Sequence, residues 1–133
     1  MAATYPLRIL TPALTLFQGD VERLQAPGSE GSFGVLARHA PLVAALGTGR
    51  LSFVDHTGPR QLATSGGFLE VAADGVTVLA ETAEFGPEID VARAEAARDR
   101  ARERLHQAEH IDRARAQAAL ARARNRLRVA AGA

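Results

Sequence analysis

The arginines of the last third of this chain are spaced as an anion-binding set would be. Arg122 and Arg126 stand four residues apart, as do Arg124 and Arg128, inside the proline-free stretch "RARAQAALARARNRLRVA". On a helix each pair sits one turn apart on one face, where like charges repel by about 0.2–0.5 kcal/mol. An anion or an acidic surface lying between the guanidiniums relieves that repulsion, and their forked donors suit phosphate in particular.

Other chemistry is poorly supported. The chain has no lysine, which removes a P-loop lysine, a Schiff base and a Ser-Lys pair. It has no cysteine, hence no disulfide and no thiolate metal site, as suits a reducing cytosol. Its four histidines (His39, His56, His106, His110) lack paired zinc spacing. "GSEGSFG" at residues 28–34 is glycine-rich but is followed by no GK[ST], and its surroundings read as strand, so it is a turn rather than a phosphate loop. "TSGG" lacks the GxSxG frame, and nothing pairs with Ser65 as a base. No paired carboxylates stand out. The residues describe a protein without catalytic machinery.

The elements that must position the arginines come in two kinds. All six prolines and eleven of twelve glycines fall in residues 1–87, whereas residues 88–133 hold fifteen alanines and eleven of sixteen arginines. Charge divides likewise, five Arg against eight Asp/Glu before the seam and eleven against seven after it. Up to residue 86, short runs such as "PLRILTP", "LTLFQG", "RLSFVD", "FLEVAADG" and "VTVLAET" alternate between turn signals, which predicts an antiparallel sandwich or barrel. "ADGV" at 73–76 is the clearest hairpin turn. Pro41 makes "LARHAPLVAAL" a loop leading into a strand rather than a helix.

From Asp90 the period becomes helical. Asp90 stands where an N-cap belongs, and helices are predicted over about 90–106 and 112–129, each about 25 Å long and joined as an antiparallel hairpin through "HQAEHID". Ala94, Ala97, Ala101, Leu105 and Ala108 form one seam; Ala116, Leu120, Ala123 and Leu127 form its mate. Arg115, Arg122 and Arg126 flank the second seam on one side, and Arg113, Arg124 and Arg128 on the other. Alanine buries little area, so docking is expected to be weak while helicity is strong, the profile of an arm able to undock and stay helical. Seven acids interleave with the hairpin's arginines and no aromatic lies beyond Phe85, which argues for a solvated helical face and against nucleic-acid binding. No run of about 18 apolar residues is present to span a membrane, and the N-terminus reads as no signal peptide.

The blocks "SEGSFGVLARHAPLVAALGTG", "SGGFLEVAADGVTVLAETAE", "IDVARA" and "ARNRLRVA", in that order, resemble the epsilon subunit of bacterial F-type ATP synthases over essentially the whole chain. The resemblance implies an α+β protein: a sandwich of about ten short strands at 1–87, binding the rotor, and a regulatory two-helix hairpin at 88–133. It implies a non-catalytic central-stalk subunit, peripheral on the cytoplasmic face of the plasma membrane, that couples proton- or sodium-driven rotation to ATP synthesis. The implied partners are the gamma subunit, the ring of c subunits and, when the arm extends, the alpha/beta catalytic head, where it obstructs hydrolysis. No cofactor is required; ATP is implied as a regulatory ligand holding the arm down. "IDVARA" matches the family's ATP-binding stretch, which assigns Ile89, Asp90, Arg93 and Ala94 to the nucleotide, with Glu84, Arg100, Arg122 and Arg126 as further contacts. Asp90 as a cap and Ile89 as an apolar staple explain the same residues without a ligand. The c-ring side is assigned to Glu30, Ser32 and His39; Ser32 stands where the family often carries an acid, so charge there falls to Glu30 or is absent. The short "HQAEH" connection also departs from ATP-binding relatives and bears on the register of Arg93 against Arg122 and Arg126. Two alternatives stay open: a purely structural coupling subunit without ATP sensing, and an Arg-rich adaptor for nucleic acid or acidic partners.

Overall fold

The structure, a computed structural model, describes residues 3–107 and 112–132. Eight strands come first: β1 (Tyr5–Leu10), β2 (Thr15–Val21), β3 (Arg23–Gly28), β4 (Gly31–Leu36), β5 (Leu42–Ala45), β6 (Gly49–Asp55), β7 (Gly58–Ala72) and β8 (Gly75–Phe85). A 3-10 turn at Gly86–Glu88 leads to α1 (Val91–His106) and α2 (Arg113–Ala130). The strands are hydrogen-bonded in the order β2-β1-β8-β7-β6-β3-β4, with β5 on β7.

Two layers arise because β7 and β8 bend together. Their pairing runs from Leu62↔Phe85 to Ala72↔Gly75 but skips Gly66 opposite Glu81. Gly66 and Gly67 both have positive φ there, 63° and 109°, and a Cβ on Gly67 would lie 1.9 Å from the carbonyl oxygen of Leu79. Only glycine fits that approach. Beyond the bend β7 carries β5, and β8 carries β1; before it, β7 carries β6 and thence β3 and β4. The inward positions of both layers meet in one core including Leu7, Ile9, Leu51, Phe53, Leu69 and Val78. Phe17 of one layer lies 4.5 Å from Phe53 of the other, and the buried Tyr5 hydroxyl donates to the Val35 carbonyl at 2.6 Å. Burial pushes the Tyr5 phenol up to about 12.

The predicted sandwich and hairpin are therefore present, with differences of detail. Eight strands stand where about ten were expected, because "TSGG" bends β7 without ending it; dividing β7 and β8 at that bend recovers the larger number. One pairing, β1 with β8, is parallel. In "GSEGSFG" only Ser29 and Glu30 form the turn, and β4 begins at Gly31. "ADGV" and the loop around Pro41 fall as predicted.

Asp55 ends β6 as the acceptor for the backbone N–H and hydroxyl of Thr57, at 2.8 and 2.5 Å, with Arg60 3.7 Å away. The hydroxyl bond and then the backbone bond and the Arg60 and His56 charges hold its carboxyl below the usual range against its burial. A lowered folded pKa contributes stability that is complete above the unfolded value, near 3.9, and lost as pH falls through the folded one. The stability gap between the native chain and Asp55→Ala is thus expected to be constant above about pH 5 and to narrow below pH ~4, as thermal melts across that range will show.

Both helices begin at aspartate caps: Asp90 Oδ1 accepts from Arg93 N and Asp112 Oδ1 from Arg115 N, each at 3.0 Å. Ala94 and Ala101 are buried and Ala97 and Leu105 half-buried, facing the buried Ala116, Leu120 and Ala123. Ala108 and most of the connection lie outside the described residues. Leu127 is only half-buried. The second buried line of α2, absent from the predicted seams, is Asn125 and Val129, and it faces the sandwich.

Candidate functional site

The site lies where α2 rests on β7, β6 and the 3-10 turn. Three contacts set its geometry. Asn125, 4% exposed, donates from Nδ2 to the Gly49 carbonyl at 2.8 Å, sharing that oxygen with the Thr64 hydroxyl at 3.3 Å. Arg126 Nε lies 2.6 Å from Glu84 Oε1. Val129 packs with Ala63 and Ile89 in a small apolar cluster of its own. Glu84 is directly opposite Ala63 in the β7–β8 ladder, so the ion pair and the apolar cluster are neighbours.

Between them is a cleft lined by Thr48, Thr64, Ser65, Thr82, Arg122, Asn125 and Arg126, with Ala63. With Arg126 paired to Glu84 its volume is about 10 Å³, the size of about one water site. Ser65 Oγ and Thr82 Oγ1 are 2.5 Å apart, which engages Ser65 in a cross-strand hydroxyl pair. The wall is thus two guanidiniums, one amide and several hydroxyls, a donor-rich lining with one carboxylate beside it. Such a set can hold an anionic or phosphorylated group; it contains no nucleophile–base pair.

Of the residues singled out in the sequence, Glu84, Arg122 and Arg126 are brought together here. Ile89 adjoins them, buried against Ala63 and Val129. Asp90 is occupied as the α1 cap, bonded to the amide of Arg93. Ala94 is buried in the helix seam, while the Arg93 and Arg100 side chains are exposed on α1. Those two are seven residues apart, which on a helix is one face.

The other predicted group is spread out. Glu30 is exposed in the β3–β4 turn, and Ser32 Oγ accepts from Gln25 Nε2 at 2.8 Å near the same tip. His39 lies past the far end of β4, its Nδ1 donating to the Ala40 carbonyl at 2.7 Å. From Ser32 to Leu36 the strand alone rises about 14 Å. Glu30 and Ser32 share one end of β4, and His39 follows the other.

Sequence reasoning missed Asn125 and the hydroxyls of Thr48, Thr64 and Thr82. Asn125 carried a signal: a short amide inside an Ala/Arg helix, where it is a poor helix former and caps nothing. Asn125→Ala is expected to loosen α2 by about 1 kcal/mol, which amounts to roughly fivefold faster hydrogen exchange of α2 amides with the sandwich strands unchanged.

Residues 4–86 match the beta-sandwich domain of the ATP synthase delta/epsilon chain, and residues 88–131 match its long alpha-helix domain. The chain belongs to the ATP synthase epsilon-chain family. It is 49% identical over 104 residues to the ATP synthase epsilon chain of Syntrophomonas wolfei, covering 77% of this chain and 76% of that one. The epsilon chain of Pelotomaculum thermopropionicum is 50% identical over 102 residues, with the same coverage. Among solved structures, a chain of the Euglena gracilis mitochondrial ATP synthase OSCP/F1/c-ring assembly superposes with a TM-score of 0.79 at 27% identity, covering 91% of this chain and 78% of that chain. A chain of the Tetrahymena thermophila mitochondrial ATP synthase central stalk and c-ring has a TM-score of 0.61 at 14% identity, a likeness of fold.

Proposed function

We propose that this chain is a non-catalytic rotor subunit of the ATP synthase central stalk, with a hairpin arm that ATP holds against the sandwich. The observation that carries the reading is the meeting of Glu84, Arg122 and Arg126 at the place where α2 docks. A phosphate chain entering there draws Arg126 from Glu84 and bridges it to Arg122, replacing a half-exposed ion pair, worth ~0–1 kcal/mol, by charge-assisted phosphate bonds. Since the same helix carries Asn125 and Val129, a ligand that binds only the docked arrangement shifts the arm toward it. Released, the arm extends toward the alpha/beta catalytic head and obstructs hydrolysis.

Rotor attachment in this reading uses the outward face of β5, β7 and β8. Val43, Phe68 and Leu79 are 68%, 57% and 52% exposed there, with Phe68 paired to Leu79 on one side and Ala45 on the other. Apolar side chains gathered on one sheet face are the usual mark of a protein interface, and the gamma subunit is the partner assigned. The turn at Glu30 and Ser32 is assigned to the c-ring. Residence on the cytoplasmic face of the plasma membrane follows through the complex; among the described residues no helix is long and apolar enough to cross a membrane.

A second reading, a coupling subunit without ATP sensing, is favoured by the narrowness of the cleft and by the employment of Asp90 and Ile89 as cap and packing residue. Calorimetric titration of the isolated chain with ATP, ADP and GTP near physiological salt separates the two. Saturable, ATP-selective binding at millimolar or better, with slowed hydrogen exchange in α2, supports the sensor. Absence of binding leaves the family membership standing and selects the structural reading.

A further inference from the structure

The arginines on the other side of α2 take no part in the cleft just described. Arg124 and Arg128 of α2 instead line a separate groove with Arg98 and Arg102 of α1, over a floor that includes Ala121 and Leu127, with the Thr48 hydroxyl at its edge. Its volume is about 560 Å³, within the range of small-molecule sites. Among the described residues, Thr48 is the one that both places share.

Among the described residues four arginines line this groove and no carboxylate does. Arg98 is the most enclosed of them; its Nε bonds Asp99 at 3.1 Å, with 26% of its side chain exposed. Arg102, Arg124 and Arg128 make no salt bridge with a described carboxylate. Each helix contributes a pair one turn apart, so two repelling i,i+4 pairs confront each other across the hairpin. Glu95 stands one turn before Arg98 on the same side of α1 and Asp99 bonds Arg98, but neither acid pairs with Arg102, Arg124 or Arg128. What this arrangement lacks is a multivalent anion.

We infer that the groove formed by Arg98, Arg102, Arg124 and Arg128 is a second, independent site, and that it binds a chain of linked phosphates. A single phosphate satisfies one pair of guanidinium forks; two or three linked phosphoryl groups reach both pairs and tie α1 to α2. Binding opposes the repulsion between the pairs, so it stiffens the hairpin. The linked phosphates are supplied free or as the tail of a nucleotide, and the chemistry recognised is the same.

The test titrates the full chain with inorganic tripolyphosphate by calorimetry, in parallel with Arg102→Gln, Arg124→Gln and Arg128→Gln, all exposed positions, with helicity checked by circular dichroism. Saturable binding is expected, weakened at least tenfold by each groove variant, unchanged within twofold by Arg104→Gln, an exposed α1 position that lines neither place, and reduced steeply by added salt. Competition then tells the sources apart: ATP displacing the chain more tightly than tripolyphosphate itself identifies a nucleotide tail, and equal displacement identifies the free chain. Failure of the wild-type protein to bind tripolyphosphate saturably overturns the inference, as does loss of binding in Arg122→Gln with the groove variants unaffected. Because the two places share no arginine, dependence on Arg102, Arg124 and Arg128 and dependence on Arg122 and Arg126 are read separately, and the groove can stand if the ATP-sensing reading fails, and the reverse.

Discussion

Arg126→Ala is expected to lower ATP affinity about 10- to 100-fold, and Arg122→Ala by about tenfold, when each is titrated calorimetrically beside the native chain. The estimate follows from the charge-assisted bonds a guanidinium makes to phosphate, about 1.5–3 kcal/mol each, with every 1.4 kcal/mol a factor of ten. Arg126 carries the larger share because it already reaches across to Glu84 Oε1 at 2.6 Å, which places its head at the mouth of the cleft. The same variants speed hydrogen exchange in α2 when ATP is present, since a ligand stabilises only the arrangement it binds. Glu84→Gln then separates two roles for the acid. If Glu84 merely competes with phosphate for Arg126, the amide tightens ATP; if it accepts a bond from the nucleotide base, the amide weakens ATP. Equal affinity in native, Arg122→Ala and Arg126→Ala protein would remove the cleft from consideration as a nucleotide site.

Some of this molecule is legible along the chain and some is not, for physical reasons that differ by element. Helix limits are set by local chemistry: aspartates at 90 and 112 supply the first amides with acceptors, and no glycine or proline intervenes until Gly132. The hairpin turns at Ser29–Glu30 and Ala73–Asp74 are local in the same sense. The bend at Gly66–Gly67 carries the signs of a turn but lies inside a strand, because the positive φ values redirect the ladder without ending it. The parallel pairing of β1 with β8 joins residues such as Ile9 and Val78, far apart in sequence, and no local pattern encodes it.

The site divides along the same line. An alanine-rich helix gives a weak periodic signal, since small residues recur on every face; the seam toward α1 could be read, whereas the Asn125–Val129 line toward the sandwich could not. Arg122 and Arg126 were visible as a rail. Their neighbour Glu84 was reached through family resemblance, because it comes from β8, and the hydroxyls of Thr64, Ser65 and Thr82 converge only once β7 and β8 pair. The docked arm is therefore specified by a few polar contacts and one small apolar cluster set around a weak seam. In the proposed reading that is a balance a ligand or a partner tips, since a two-state element with a few kcal/mol between its arrangements responds to modest differential binding.

Phe68→Asp tests the attachment of the sandwich itself and has the largest expected effect. Phe68 is 57% exposed in the isolated chain, flanked in the sheet by Leu79 and Ala45, and Val43 lies two residues before Ala45 on the same face. Covering such a side chain in an interface contributes about 1.5–3 kcal/mol, and an aspartate there would instead bury an unpaired charge, a further cost of several kcal/mol. Affinity for the gamma subunit is expected to fall at least 100-fold. The fold tolerates the change, because the position faces outward and the loss of strand propensity is about 1 kcal/mol at most. The melting temperature should therefore move by only a few degrees, and the affinity for ATP should not change, since the cleft lies where α2 docks and Phe68 does not line it. Undiminished co-purification of Phe68→Asp with the gamma subunit would assign the rotor contact to another face. Loss of gamma binding with ATP affinity intact would show that attachment and the arm are separate properties of the two halves of the chain.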